Sequence, residues 1–335
     1  MSKRHVSLIG LLIMLLGAPV ALVSLTDQAL AFERTPQKPA IVLAAFGTTE
    51  VGALGSILNI RDRVAAAFPN HDIHLAFTSN IIRNIWHERD SDAAFKKSNP
   101  KIPQEIYSIK NALTVLASIQ EEGARLVLVQ SLHVADGEEY RDLESLVNAL
   151  AKYDTVKPVL KPFPWIGIGE PALGLKDGQS QYLDRAVAAL APLAEKAKTA
   201  GAALVLMGHG NEHLTQKVYS RLEAALRKAY GPQIYIGTVE SPPHAPEILA
   251  ALKASADAPG KVFLAPLMVV AGDHAINDMA GEEDDSWASI FKAGGLTVET
   301  YLEGLGSNNS WADIYIEHLK VLAPMVEAKQ AADNK

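Results

Sequence analysis

Cysteine is absent from all 335 residues. Disulfides, thiolate metal sites and cysteine nucleophiles are therefore excluded together. Positive charge is also scarce. Lys and Arg number 31 against 38 Asp and Glu, a formal net charge of −7. With no basic excess to neutralise phosphates, nucleic-acid binding is not expected. Beyond residue 31 no stretch approaches about 18 unbroken apolar residues, the length that a membrane span needs. What remains is an ordinary globular composition, 48% hydrophobic and 21% charged, enough for one large or two medium domains.

The first residues follow different rules. Lys3 and Arg4 precede an apolar stretch from Val6 to Leu25, and Ala29-Leu30-Ala31 follows as an A-x-A pattern. This order suits a secretory signal peptide over residues 1–31, with a mature chain that starts at Phe32 and works in the periplasm. An uncleaved anchor is the competing reading, but Gly17 and Pro19 interrupt the stretch. After cleavage no stable membrane insertion is expected.

From residue 40 onward, short apolar runs rich in β-formers alternate with longer helical ones. Strands are expected at Ala40–Ala45, Ile73–Phe77, Leu126–Val129 and Val159–Ile168, with helices at Val51–Phe68, Gln104–Gln120 and Glu138–Ala151 between them. The plan then restarts. A helix at Asp184–Ala200 is followed by strands at Ala203–Met207, Ile234–Val239, Val262–Val270 and Thr297–Leu302. Helices at Leu214–Tyr230, Pro246–Ala254 and Trp287–Ala293 separate those strands, and Trp311–Ala328 closes the chain. Near-continuous apolar strands imply parallel sheets covered on both faces. The expected fold is α/β, two similar lobes, each a doubly wound parallel sheet flanked by helices, facing across a cleft. The lobes would span residues 32–182 and 183–335, with helix 311–328 packing back on the first.

The two halves align in detail. Phe46 pairs with His209, Ser79 with Glu240, Glu139 with His274 and Gly167 with Gly304, at offsets of 163, 161, 135 and 137. At three strand ends the second half thus carries His209, Glu240 and His274 where the first has Phe46, Ser79 and Glu139. Adjacent parallel strands lie about 4.8 Å apart, so side chains at their ends can converge. Ligands of such sheets bind beyond the C-terminal strand ends. Two imidazoles and a carboxylate make a three-donor site for Co²⁺, Fe²⁺, Ni²⁺ or Zn²⁺. The same residues also read as a hydrogen-bonded turn and a loop cap. Gly208 and Gly210 flank His209, as Gly47 follows Phe46, and would let a flat ligand approach the backbone. His209-Gly-Asn-Glu212-His213 also fits the H-x-x-E-H pattern of some metalloproteases, which needs both histidines on one helix. Gly210 and Asn211 are poor helix formers. His133 stands at a first-half strand end, as a substrate contact, a proton relay or a structural residue. His71, His74 and His87 are expected at the surface. The acidic run Glu282-Glu-Asp-Asp285 reads as solvated, or as an attractor for cations.

The segments "AAFGTT", "VQSLHVADGEEY", "LMGHGNEH", "GTVES" and "LMVVAGDHAINDMAGEEDDSW" resemble the anaerobic sirohydrochlorin cobaltochelatases of the CbiK type, class II chelatases, along essentially the whole mature chain. The resemblance implies two flavodoxin-like lobes with the tetrapyrrole in the cleft. It implies ATP-independent insertion of Co²⁺, or of Fe²⁺, into sirohydrochlorin, with the metal as substrate and no organic cofactor. It places metal ligation on His209, Glu240 and His274. His209 is then the expected base for a pyrrole proton, with His274 assisting, and Phe46, Gly47, His133, Gly208 and Gly210 are expected around the substrate. A homo-oligomer is implied as well. Most family members work in the cytoplasm, so the signal peptide is a departure. It raises an alternative: a periplasmic protein that binds and transports metal, haem or another tetrapyrrole, with His71, His74, His87 or His133 as a haem ligand.

Overall fold

The apolar runs become two four-stranded sheets with one plan. A computed structural model describes residues 38–157, 160–175, 180–211 and 217–333; the expected signal peptide lies outside the described residues. Strands β1 (Ala40–Ala45), β2 (Asp72–Phe77), β3 (Leu126–Ser131) and β4 (Trp165–Gly169) form the first sheet in the order β2-β1-β3-β4. Strands β5 (Ala203–Gly208), β6 (Ile234–Thr238), β7 (Lys261–Pro266) and β8 (Thr297–Thr300) repeat that order as β6-β5-β7-β8. Every pairing is parallel.

The helices are α1 (Leu54–Ala67), α2 (Asn80–Ser91), α3 (Ala93–Ser98), α4 (Gln104–Tyr107), α5 (Ala112–Glu121), α6 (Glu138–Lys152), α7 (Ser180–Thr199), α8 (Lys217–Tyr230), α9 (Ala245–Ala254), α10 (Trp287–Ala293) and α11 (Asn309–Asp333). Among the described residues none is long and apolar enough to cross a membrane.

Strand alternation feeds three cores. Successive side chains point to opposite faces, so Ile41 and Leu43 of β1 enter one core while Val42 and Ala44 enter another. In β5, Leu204 and Leu206 join that first core, whereas Val205 and Met207 face a third. The first core is therefore common to both sheets, and α1, α7, α8 and α11 fill it. The helices that follow the last strand of each half are exchanged. α7 follows β4 but packs on α8, β5 and β7, whereas α11 follows β8 but packs on α1, β3 and β4. Each carries an internal proline, Pro192 and Pro324. The boundary expected between residues 182 and 183 falls inside α7.

Several sequence expectations are corrected. Gln104–Gln120 is two helices, because the Asn111 side chain accepts from Thr114 N at 2.8 Å and starts α5 afresh. The strand expected from Val159 to Ile168 begins at Trp165, and residue 159 lies outside the described residues. The strand expected to run to Val270 ends at Pro266, the last residue in register with β5. Helix α2 was not foreseen. The match of Gly167 to Gly304 also fails. Gly167 lies within β4, whereas Gly304 lies beyond β8. Main-chain bonds give the true register. Ala172 N donates to His133 O at 3.0 Å and Leu305 N to Met268 O at 2.8 Å, so residue 305 matches 172, an offset of 305 − 172 = 133. The two prolines agree, at 324 − 192 = 132.

Helix α11 also carries a buried imidazole. His318 is 3% exposed. Its Nδ1–H donates to Glu170 O at 2.9 Å, and its ring meets Tyr182 edge-on at 4.4 Å. Burial pushes its pKa down to about 4. Burial, with His209 nearby, does the same to His133. The unfolded chain binds these protons from about pH 6.5 downward, so it binds more protons than the fold between the two values and stability falls with acidification. Each group should cost about 2 kcal/mol between pH 7 and pH 5. Urea unfolding at both pH values is the check. His318→Gln should lose about 2 kcal/mol less over that interval; an unchanged pH dependence would refute the assignment.

Candidate metal centre

Three loops at the C-terminal ends of the second sheet build the centre. β5 ends at Gly208, so His209 is the first residue past it. The ladder with β6 continues beyond the strands: Val239 N donates to Gly208 O at 3.1 Å and Glu240 N to His209 O at 2.8 Å. That pairing fixes Glu240 beside His209. Gly210 then turns with φ +86°, and a Cβ there would lie 2.6 Å from Thr238 Oγ1. Only glycine lets this loop settle onto the end of β6. His274 arrives from the loop after β7, at the start of a π-helical turn, Ala275–Met279. Such turns recur at functional sites.

The loops bring His209, Glu240 and His274 together, with one donor atom from each within 4.8 Å of the others. The imidazoles stand 5.0 Å apart at 79°. Both are half-buried, while Glu240 is exposed. His209 Nδ1–H donates to Gly210 O at 3.2 Å, and His274 Nδ1 bonds Asp278 Oδ2 at 2.5 Å. Each ring therefore has Nε2 left for an ion. Two neutral imidazoles and one carboxylate, with open positions and no thiolate, suit a borderline divalent ion held for exchange.

Both imidazoles line a cavity of about 470 Å³ between the two halves. The opposite wall presents an apolar face. Phe46, the first residue past β1, faces His209, the first past β5, at a ring distance of 6.3 Å. Ile81, Ile82 and Ile85 of α2 extend that wall, and Ser79 caps α2 by accepting from Ile82 N at 3.4 Å. Sequence reasoning missed these isoleucines together with their helix. Their spacing in "NIIRNIW" is helical, and was the available signal. Glu139, the counterpart of His274, lines the cavity too.

His133 lies in the cavity wall. Its Nδ1 shares a 2.8 Å hydrogen bond with Ser131 Oγ, and its Nε2 is enclosed without a partner. With its pKa near 4, it presents a neutral ring. A Cβ on Gly47 would lie 2.6 Å from the Phe77 ring, and one on Gly208 would lie 3.2 Å from Tyr219. With Gly210, these positions make room for the protein's own side chains. Gly47 and Gly210 still reach the cavity; Gly208 is not part of its lining.

The remaining histidines stand apart. His71 packs edge-on against Phe68, and His87 Nε2–H donates to Ile109 O at 2.7 Å. His71 and His74 are half-buried, not surface residues, and burial lowers the pKa of both. Glu282 to Asp285 are exposed and outside the donor cluster. His209, Gly210 and Asn211 are not helical. Glu212 and His213 of the H-x-x-E-H pattern lie outside the described residues.

Comparison with known proteins follows the same lines. The profile of the family described as cobalt chelatase (CbiK) matches residues 39–323. The sirohydrochlorin cobaltochelatase CbiKC of Nitratidesulfovibrio vulgaris is 32% identical over 282 residues, 84% of this chain and 89% of that protein. The sirohydrochlorin cobaltochelatase of Salmonella typhimurium is 29% identical over 283 residues, 84% of this chain and 95% of that protein. Among solved structures, SirB from Bacillus subtilis with Fe³⁺ shares the fold at a TM-score of 0.52 and 13% identity, covering 84% of this chain and 94% of that one.

Proposed function

Because the chain belongs to the CbiK cobalt chelatase family, we propose that it inserts Co²⁺ into sirohydrochlorin without ATP. The observation that carries this reading is the cluster of His209, Glu240 and His274, whose two imidazoles line a cavity otherwise largely apolar. A flat macrocycle enters between Phe46 on one side and the two imidazoles on the other. Insertion displaces two pyrrole N–H protons for one divalent ion. The centre balances that exchange. As Co²⁺ passes from the two Nε2 atoms and the Glu240 carboxylate to the pyrrole nitrogens, two imidazole lone pairs are freed. His209 takes one proton and His274 the other. Neutral histidine is a natural base for this step.

Mixing the protein with sirohydrochlorin and excess Co²⁺ should give many turnovers per chain, followed by the change in tetrapyrrole absorbance. Conversion that stops at one equivalent would identify a carrier and overturn the reading. Activity should fall on acidification, since a protonated imidazole neither ligates nor accepts a proton. Fe²⁺ suits the same donors, and parallel assays with each ion would rank them. We also propose export to the periplasm through residues 1–31, on the strength of the apolar stretch and its A-x-A end. N-terminal sequencing should find Phe32 first.

A further inference from the structure

The two imidazoles of the centre are not held alike. His209 Nδ1–H meets a neutral main-chain oxygen, Gly210 O, at 3.2 Å. His274 Nδ1 meets a carboxylate, Asp278 Oδ2, at 2.5 Å. The π-helical turn places this carboxylate. Asp278 lies four residues past His274, and a second tie of equal span, Asn277 Nδ2 to Asp273 Oδ1 at 2.8 Å, braces the same turn. Asp278 does not belong to the donor cluster itself.

A carboxylate on the far nitrogen of a ligating imidazole fixes its tautomer and aims its ring. A carbonyl at 3.2 Å does each of these less. We infer that Asp278 is a positioning residue that makes His274 the anchor of the substrate cation, leaving His209 as the looser ligand. Asp278 keeps the Nδ1 proton in place, so the Nε2 lone pair always faces the ion. During transfer His209 releases the ion first and His274 last. This inference rests on the reading of His274 as a ligand to substrate Co²⁺.

The test uses the full chain and Co²⁺ alone, by calorimetry and by the visible absorption of bound Co²⁺, with kinetics beside it. Asp278→Ala should weaken Co²⁺ binding about 10–100-fold. Asp278→Asn, whose amide oxygen still accepts from Nδ1–H, should lose less, and carries the test if the alanine variant fails to fold. In both, the KM for Co²⁺ should rise while the KM for sirohydrochlorin stays put, a split that general loosening of the fold would not give. At saturating Co²⁺ the spectrum should match the unaltered protein, because the donor set is intact. Alanine and asparagine variants that both bind within about twofold of the unaltered protein would overturn the inference. A shifted spectrum would do so too, by showing Asp278 to be a ligand. His274→Ala separates the two levels. If that variant binds Co²⁺ normally, the metal-centre reading itself fails; if it binds poorly while the Asp278 variants bind well, only the anchor is lost.

Discussion

His274→Ala should lower cobalt insertion by about three orders of magnitude or more, several kcal/mol of barrier. The substitution removes one of three donors and one of two proton acceptors together. It should leave the fold almost untouched. His274 is half-buried after β7, and its side chain hydrogen-bonds Asp278 on the same turn. The melting temperature should therefore move by no more than about 2 °C. Steady-state turnover and a thermal melt on the same preparation decide the matter. Wild-type rates in the variant would remove the chemical role argued for this histidine.

Trp311→Ala should produce the largest loss of stability, about 3–5 kcal/mol, or roughly 10 °C in Tm. Trp311 is fully buried in the core common to both sheets. Its Nε1–H donates to Tyr315 Oη at 3.3 Å, and Tyr315 Oη–H in turn donates to Leu132 O at 3.1 Å. Truncation opens a cavity and removes a donor to a buried hydroxyl. Leu132 adjoins His133, so the cavity wall should loosen as well. Urea unfolding of the variant gives the value directly; a change below about 1 kcal/mol would contradict the packing described.

Much of this arrangement was legible in the residues. The strand ends could be read because apolar runs stop at glycines, and comparing the halves then singled out His209, Glu240 and His274. The β1/β2 and β5/β6 registers reproduce the offset of 161, since Phe77 pairs with Ala45 as Thr238 pairs with Gly208. Helix α2 escaped because "NIIRNIWHERDS" is polar on average and its isoleucines form only a narrow stripe. The tie from Asp278 to His274 was hidden in an acidic, turn-like segment whose π-helical geometry has no simple sequence mark. The packing of Tyr219 against Gly208 was not legible for a related reason. Sequence shows that a Cβ is missing, but not which neighbour occupies the space.

Helix 311–328 was expected to pack back on the first half; the reciprocal placement of α7, which makes the arrangement an exchange, came only from the fold. It limits how the molecule can breathe. Swinging one half away would split the core common to both sheets, where α7 and α11 pack on each other. A hinge of that kind would expose apolar core to water. Yielding of the cavity lining at Phe46 and Ile81, which already stand exposed, would disturb that core least.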